Sequence, residues 1–187
     1  MLCGRMIAIM SANIFSVVAS RAKAERRLER GAHLFHRNDA VRSVYVVIDG
    51  CLELTRFHEG GAPLVLQRAG PGTFLAEASV YSDAYHCDAV AVEPSTVRGL
   101  ARDGFLDLLA ETPRAAELWS AHLAREVQAA RYRCEILARK TVSERLDGWL
   151  AWHGDRLPEK GRWKSVAEQI GVSPEALYRE LAKRARP

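Results

Sequence analysis

The N-terminal half of the chain alternates between short apolar runs and turn residues. Residues 43–48 are rich in β-branched and aromatic side chains, and Asp49-Gly50 follows them as a strong hairpin signal. Residues 51–57 then alternate apolar and polar positions, as a half-buried strand does. Further apolar runs at 64–66, 89–92 and 95–99 are separated by turn residues at 59–61 and 69–72. This spacing predicts a β-roll or jelly roll.

The periodicity becomes helical near Ala101. Asp103–Ala110 predicts one short amphipathic helix, and Thr112-Pro113 is a start signal for a second that meets no breaker until about Lys140. Apolar residues recur every three or four positions along the second helix, like a coiled-coil seam of about three heptads. They are Ala116, Trp119, Leu123, Val127, Ala130, Cys134 and Leu137. We expect two copies to pair along this stripe; the alternative is a long helix packed on its own domain.

Residues 163–184 have the pattern of a helix-turn-helix. Ala167 is small where two helices would cross, and Gly171 tolerates the positive φ of the turn. Ser173 caps the second helix and Pro174 opens it. The apolar residues that would hold the two helices together are Val166, Ile170, Val172, Leu177 and Leu181. A preceding helix is predicted over residues 142–153.

This register leaves a polar face on the second helix. Glutamate can accept a hydrogen bond from cytosine, and arginine can donate two to guanine. Lysine and serine beside the turn would contact phosphates. The predicted DNA-binding residues are Lys164, Ser165, Ser173, Glu175, Tyr178, Arg179 and Lys183. The alternative is an ordinary helical hairpin with charged outer faces.

The charge distribution favours DNA. Residues 139–187 contain eleven Lys or Arg and seven Asp or Glu, so the other 138 residues contain sixteen of each and the net charge of +4 lies in the last quarter of the chain. A local basic surface attracts polyanions.

Other chemistry is not indicated. Cys3, Cys51, Cys87 and Cys134 lie far apart, which argues against a zinc finger and fits a reducing cytoplasm. The apolar residues 7–19 are too short for a membrane span and favour an N-terminal helix over a signal peptide. We therefore expect no membrane partner. No His-x-His, G-x-S-x-G, P-loop or H-E-x-x-H motif occurs, so we do not expect an enzyme.

The order of elements from Arg27 to Arg184 resembles the cyclic-AMP receptor protein/Fnr family of transcription regulators. Residues 44–50, 70–74 and 171–175 carry the local similarity. The resemblance implies a cytoplasmic homodimer that binds a palindromic site on double-stranded DNA, with RNA polymerase as a further partner. We therefore expect an α+β protein with a β-roll sensor domain (1–111), a dimerisation helix (112–139) and a helix-turn-helix domain (140–187).

The effector position departs from the family pattern. Nucleotide-binding members have Gly-Glu-Leu followed by Arg-Ser-Ala, whereas this chain has residues 76–78 as Ala-Glu-Ala and 87–89 as Cys-Asp-Ala. The ribose-binding glutamate is kept, but the phosphate-binding arginine is replaced by a cysteine and its neighbour by an aspartate, which repels phosphate. The resulting pocket prediction is Glu77, His86, Cys87, Asp88, Ala130 and Arg131. We expect a regulator that cyclic nucleotides do not gate.

Several alternatives stay open. Haem or a metal could use His33, His36, His58 or His86, although His33 and His36 would face opposite ways on one strand. An iron–sulfur cluster is not expected, because only Cys3 lies near the N-terminus. Redox sensing could use Cys134, whose thiol would lie opposite Cys134 of a second copy of the chain across the seam. The alternative is that Cys134 is simply a small core residue. The sequence stops at Pro187 without a β-hairpin wing, so an effector-binding or scaffolding protein with weak or no DNA binding is the alternative function.

Overall fold

The computed structural model describes residues 14–57, 63–75 and 77–185. Cys3, His58, the turn predicted at 59–61 and most of the predicted N-terminal helix lie outside these residues. The chain divides into two compact units, Met1–Leu123 and Ala124–Pro187. The first unit is built mainly of strands and the second of helices, so the predicted α+β class is confirmed.

The strands of the first unit form two antiparallel sheets, which is the predicted β-roll. One sheet has the order β1-β8-β3-β6 and the other β2-β7-β4-β5. Their bounds are β1 Ala24–Leu28, β2 His33–Phe35, β3 Ser43–Asp49, β4 Leu52–Phe57, β5 Pro63–Ala69, β6 Phe74–Leu75, β7 Asp88–Ala91 and β8 Ser95–Ala101. The sequence pattern predicted five of these strands; β1, β2 and β6 were not predicted.

The hairpin between β3 and β4 turns at Gly50, which adopts a φ of +82° as expected for Asp-Gly. Alternating residues of β3 and β4, such as Val47 and Leu54, are buried in an apolar core between the sheets. Tyr85 and Phe35 stack in that core with ring centroids 3.8 Å apart. The Tyr85 hydroxyl donates to the Ser43 carbonyl at 2.8 Å, so the buried polar group is satisfied.

Helices cover one side of the first unit. Residues 14–21 form α1, Arg102–Glu111 forms α2, and the long helix α3 runs from Pro113 to Ala138. A second apolar core contains Phe74, Phe105 and Trp119, whose rings meet edge to face. Trp119 is only 2% exposed, so it belongs to this core and not to the predicted seam, because its ring is already covered by its own chain. None of the helices among the described residues combines the length and apolar character needed to cross a membrane.

The second unit contains the end of α3 and three further helices. They are α4 Val142–Trp152, α5 Trp163–Gln169 and α6 Pro174–Arg184. Leu146, Ile170 and Leu177 are completely buried where these helices meet, and Ile136 joins them from α3. The helix-turn-helix is therefore supported by its own apolar core.

A capping box fixes the start of α4. The Thr141 Oγ1 atom accepts from the Glu144 backbone N–H at 3.2 Å, and the Glu144 carboxylate accepts from the Thr141 N–H at 3.0 Å. This hydrogen bond to backbone Thr141 is the main reason why the pKa of Glu144 lies below its usual value. Stability from a lowered carboxyl pKa is present above the ordinary pKa and is lost as the pH falls through the lowered one.

We expect Thr141→Ala to destabilise the protein by about 1 kcal/mol at neutral pH, the usual cost of removing an N-cap side chain. Urea unfolding measures this loss, and Thr141→Ser should retain the cap and most of the stability. The loss should shrink in acid, where Glu144 becomes protonated. An unchanged free energy of unfolding in Thr141→Ala would contradict the capping assignment.

Candidate functional site

The crossing of α5 and α6 depends on two small residues. Ala167 is completely buried in α5, and Gly171 adopts a φ of +65° in the turn. The Val172 N–H donates to the Ala167 carbonyl at 2.9 Å and closes the turn. The Ser173 hydroxyl accepts from the Ala176 N–H at 3.2 Å, and Pro174 is the first residue of α6. The predicted turn chemistry and helix start are therefore present.

Arg145 holds the turn from outside the two helices. Its guanidinium donates to the carbonyls of Ile170 at 3.2 Å and Gly171 at 3.0 Å, and also to the Arg139 carbonyl at 2.9 Å. Carbonyls at the end of a helix lack intrahelical partners, so this cation satisfies them. Arg145 could not be predicted from the sequence, because its partners are backbone groups that only the tertiary fold brings close.

The exposed side of the turn-helix pair is polar and positively charged. Lys164, Arg179 and Lys183 are exposed, Tyr178 is 42% exposed, and Ser165 is half-buried. Glu175 is exposed at the start of α6, where hydrogen bonds from its own backbone N–H and from Ser173 lower its pKa. Glu175 is therefore ionised at neutral pH and can only accept hydrogen bonds.

Arg184 forms hydrogen bonds at the end of α6. Its guanidinium donates to Asp147 at 2.7 Å, to Glu180 at 2.8 Å and to the Ser143 carbonyl at 3.0 Å. The bonds to Asp147 and Ser143 join the end of α6 to α4, and the bond to Asp147 is the largest cause of the raised pKa of Arg184. Arg184 thus positions α6, whereas the Arg179 side chain is exposed.

The predicted seam residues fall into two groups. Ala116 and Leu123 are half-buried and Trp119 is buried in the first unit. Val127 and Leu137 are 48% and 44% exposed, and Ala130 and Cys134 are also exposed. The exposed group is spaced by three, four and three residues, so it lies on one face of α3.

The predicted effector residues of the first unit lie around the start of β7. Glu77 is buried in a short 3₁₀ turn, Glu77–Ser79. The His86 ring meets the Ser79 hydroxyl at 2.9 Å, and burial, followed by the nearby Arg56, lowers the pKa of His86. Cys87 is 2% exposed and belongs to the apolar core between the sheets. Cys87 packs in this core beside apolar side chains and Tyr85, and the Arg56 guanidinium lies nearby.

One prediction about this region is wrong. Asp88 does not share the inward face with Cys87, because successive strand residues alternate and the burial of β7 alternates from Asp88 onward. Its carboxylate instead accepts the Arg37 N–H at 3.1 Å on the outer face. The expectation that His33 and His36 face opposite ways applied to a shared strand, but β2 ends at Phe35 and His36 follows it; the two rings stack with centroids 4.2 Å apart.

The thiols differ in their surroundings. Burial raises the pKa of Cys87 to about 11, with nearby Asp88 and Glu77 adding to the rise and Arg56 opposing it. The thiol form of Cys87 therefore dominates at pH 7, whereas thiolate is the reactive form. Cys134 is exposed on α3.

We expect iodoacetamide to alkylate Cys134 in the folded protein while Cys87 reacts only after unfolding. Peptide mass spectrometry over a time course would measure both rates in one sample, and urea-unfolded protein would serve as the control for intrinsic reactivity. Equal rates for the two cysteines in the folded protein would contradict the burial of Cys87.

Comparisons with known proteins show which proteins this chain is similar to. Residues 25–112 match the family described as the cyclic nucleotide-binding domain. The cyclic AMP receptor protein of Thermus thermophilus is 31% identical over 124 residues, which cover 65% of this chain and 57% of that protein. The nitrogen fixation regulation protein FixK of Bradyrhizobium diazoefficiens is 26% identical over 166 residues, covering 83% of this chain and 69% of that protein.

These comparisons support the resemblance of this chain to the cyclic-AMP receptor protein/Fnr family of transcription regulators. The solved structure of FixK2 from Bradyrhizobium japonicum shares its fold, with a TM-score of 0.71 at 20% identity over 86% of this chain and 83% of that one. This chain spans little more than half the length of the Thermus receptor protein.

The resemblance allows Cys87 to be compared with the corresponding residue of nucleotide-binding proteins. The resemblance to nucleotide-binding members of the cyclic-AMP receptor protein/Fnr family puts a phosphate-binding arginine at this position. Here the side chain is a buried thiol in an apolar core. The position is therefore filled by a group that cannot donate the charge-assisted hydrogen bonds a phosphate requires.

Proposed function

We propose that this protein is a homodimeric, sequence-specific DNA-binding transcription regulator of the cytoplasm, without catalytic activity. The observation that carries the proposal is the exposed polar face of α6, with Glu175 and Arg179 one helical turn apart on a helix held by buried apolar residues. In the proposed complex α6 enters the major groove, where these side chains read base edges, and Lys164 and Ser165 contact phosphates. Ser173, Tyr178 and Lys183 complete the proposed surface. RNA polymerase is the further partner that such a regulator would meet at a promoter.

Dimerisation would occur along α3. Val127, Ala130, Cys134 and Leu137 give one face of this helix an exposed apolar stripe. Exposed apolar residues at this spacing are typical of a helix pair. In a parallel pair the two Cys134 thiols would lie opposite each other, within the reach of a disulfide.

Peroxide treatment tests this arrangement. We expect a dimer band on a non-reducing gel that disappears in Cys134→Ser, and a dimer of the same mass by light scattering for both proteins. A monomer by light scattering would overturn the dimer proposal, and a dimer without the band would exclude close approach of Cys134.

We propose that cyclic nucleotides do not gate this regulator. The buried Cys87 supports this, because a thiol with a raised pKa supplies no positive charge for a phosphate. An effector bound beside Glu77 and His86 would then belong to a different chemical class. Cyclic AMP should leave the melting temperature unchanged, and a concentration-dependent rise would overturn this proposal.

DNA binding is tested with a randomised duplex library. The purified full chain is incubated with the library, and the bound duplexes are sequenced and remeasured by fluorescence anisotropy at several salt concentrations. We expect a palindromic consensus with half-site centres about 10 base pairs apart, and an affinity that falls as salt rises. Binding that ignores salt, or no enrichment, would favour the effector-binding or scaffolding alternative.

A further inference from the structure

A register shift in β2, followed directly by a turn, brings two histidines close together. Regular alternation would place residues 33 and 36 on opposite faces. The pairing of β2 with β7 instead shifts register between His33 and Phe35, and the neighbours Leu34 and Phe35 are both buried. The register shift disrupts the alternation, so both imidazoles lie on the outer face. The His36 side chain is 60% exposed there.

Asp88 reaches the same place from the neighbouring strand. Its Oδ1 atom lies 3.3 Å from His36 Nδ1, and its side chain is 14% exposed. One ligand atom from each of His33, His36 and Asp88 lies within 4.8 Å of the others. Two imidazoles and a carboxylate thus converge at an exposed edge of the sheet.

Backbone hydrogen bonds fix the turn that holds His36. Its N–H donates to the Asp39 carboxylate at 2.8 Å, and the Asp39 N–H donates back to the His36 carbonyl at 3.1 Å. The Asn38 N–H donates to the carbonyl of the buried Tyr85, and the Tyr85 N–H donates to the Asp39 carbonyl, both at 2.9 Å. The position of His36 is therefore set by the fold and not by its own side chain.

We propose that His33, His36 and Asp88 bind a divalent transition-metal ion of the zinc type. Imidazole nitrogen and carboxylate oxygen are ordinary ligands for Zn²⁺, and three protein ligands leave a fourth position for water. Neighbouring ligand atoms of a tetrahedral zinc site are about 3.3–3.4 Å apart, given bond lengths of about 2.0–2.2 Å. The His36–Asp88 pair already has this separation.

The remaining adjustment falls on His33. Its side chain is exposed at the edge strand β2, so a rotation about its side-chain bonds can shorten its separation from the other two ligands. The backbone N–H of Arg37 already donates to Asp88 Oδ1 and keeps this carboxylate turned toward the histidines. A bound ion would link the edge strand β2 to β7. The proposed metal site is independent of the proposed DNA-binding function.

The test is calorimetric titration of the full chain with Zn²⁺ alone. We expect one ion per chain in the wild type and in Cys134→Ser, which removes the exposed thiol. His33→Gln and His36→Gln should each weaken binding by about tenfold or more. Even mutations of residues that only hydrogen-bond to a metal ligand lower metal affinity by about 10–100-fold. Asp88→Asn should also weaken binding, and His153→Gln is the matched control for an exposed histidine elsewhere.

Cobalt absorption gives an independent reading. Co²⁺ bound to nitrogen and oxygen ligands should give visible bands without the sulfur-to-metal charge-transfer band that a cysteine site produces. Circular dichroism would establish that each variant is folded, and His33→Gln leaves the His36 turn intact. The proposal is overturned by a lack of saturable binding, by full affinity in His33→Gln and His36→Gln, or by loss of binding in Cys134→Ser.

Discussion

Replacing Gly50 with alanine should destabilise the N-terminal unit by about 2–5 kcal/mol. Gly50 has a φ of +82°, and a left-handed backbone costs an alanine about 1–2 kcal/mol. An added Cβ would also overlap the Pro94 carbonyl and lie 2.6 Å from Ser95 Cα, both of which are backbone atoms. Overpacking of this kind typically costs about 1–3 kcal/mol. Urea unfolding followed by far-ultraviolet circular dichroism would measure the total.

Gly72→Ala separates the two causes. Gly72 has a φ of +84°, but an added Cβ there meets no described atom within 4 Å. It should therefore show only the backbone cost of about 1–2 kcal/mol. Equal losses in the two variants would mean that the backbone around Ser95 moves aside. We do not expect this, because the Ser95 hydroxyl accepts from the Cys51 N–H and donates to the Cys51 carbonyl.

The strands that the sequence predicts are those with a strong local signal. β3 and β4 flank Asp49-Gly50 and alternate buried and partly buried residues. β1 has no such pattern, because four of its five residues are exposed and only Leu28 is buried. β6 contains only Phe74 and Leu75, too few residues to show a period. Both are edge strands, and their pairing with β8 and β3 comes from the tertiary fold.

The helices are better determined by local chemistry. Caps and turn residues such as Thr141, Gly171 and Ser173 act within a few positions, so their roles are visible in the sequence. The stripe on α3 shows the limit of this reasoning. A period of three to four residues shows which face is apolar but not what covers it, and for Trp119 the cover is its own core.

The candidate sites follow the same division. The exposed face of α6 could be predicted because it lies on one regular helix with a recognisable start. The convergence of His33 and His36 could not, because it depends on a register shift between β2 and β7. The clamp formed by Arg145 on the Gly171 turn likewise joins residues 26 positions apart. A register shift, or a side chain whose hydrogen-bond partners are backbone groups, produces no periodic pattern in the sequence.

Replacing Arg179 with alanine should weaken binding to the selected duplex by about 1–3 kcal/mol, or roughly 5- to 150-fold. An arginine that donates two hydrogen bonds to guanine reads one base pair, so the variant should also lose preference at one position of each half-site. Fluorescence anisotropy on duplexes mutated one base pair at a time would measure both effects.

Lys164→Ala is the matched control from the same surface. A lysine that contacts only phosphate should weaken binding to all duplexes alike and reduce the slope of affinity against salt by about one. Both side chains are exposed, so neither variant should change stability or dimerisation. Loss of affinity without loss of base preference in Arg179→Ala would assign Arg179 to the phosphate backbone.

Arg184→Ala completes the comparison, because it removes a positive charge from the same helix. Arg184 holds α6 to α4 through Asp147 and Ser143, so its loss should lower stability and affinity together. Arg179 lies exposed one turn from Glu175, and its loss should lower affinity at unchanged stability. If operator affinity is unchanged in Arg179→Ala while the dimer is intact, α6 does not present this face to the major groove.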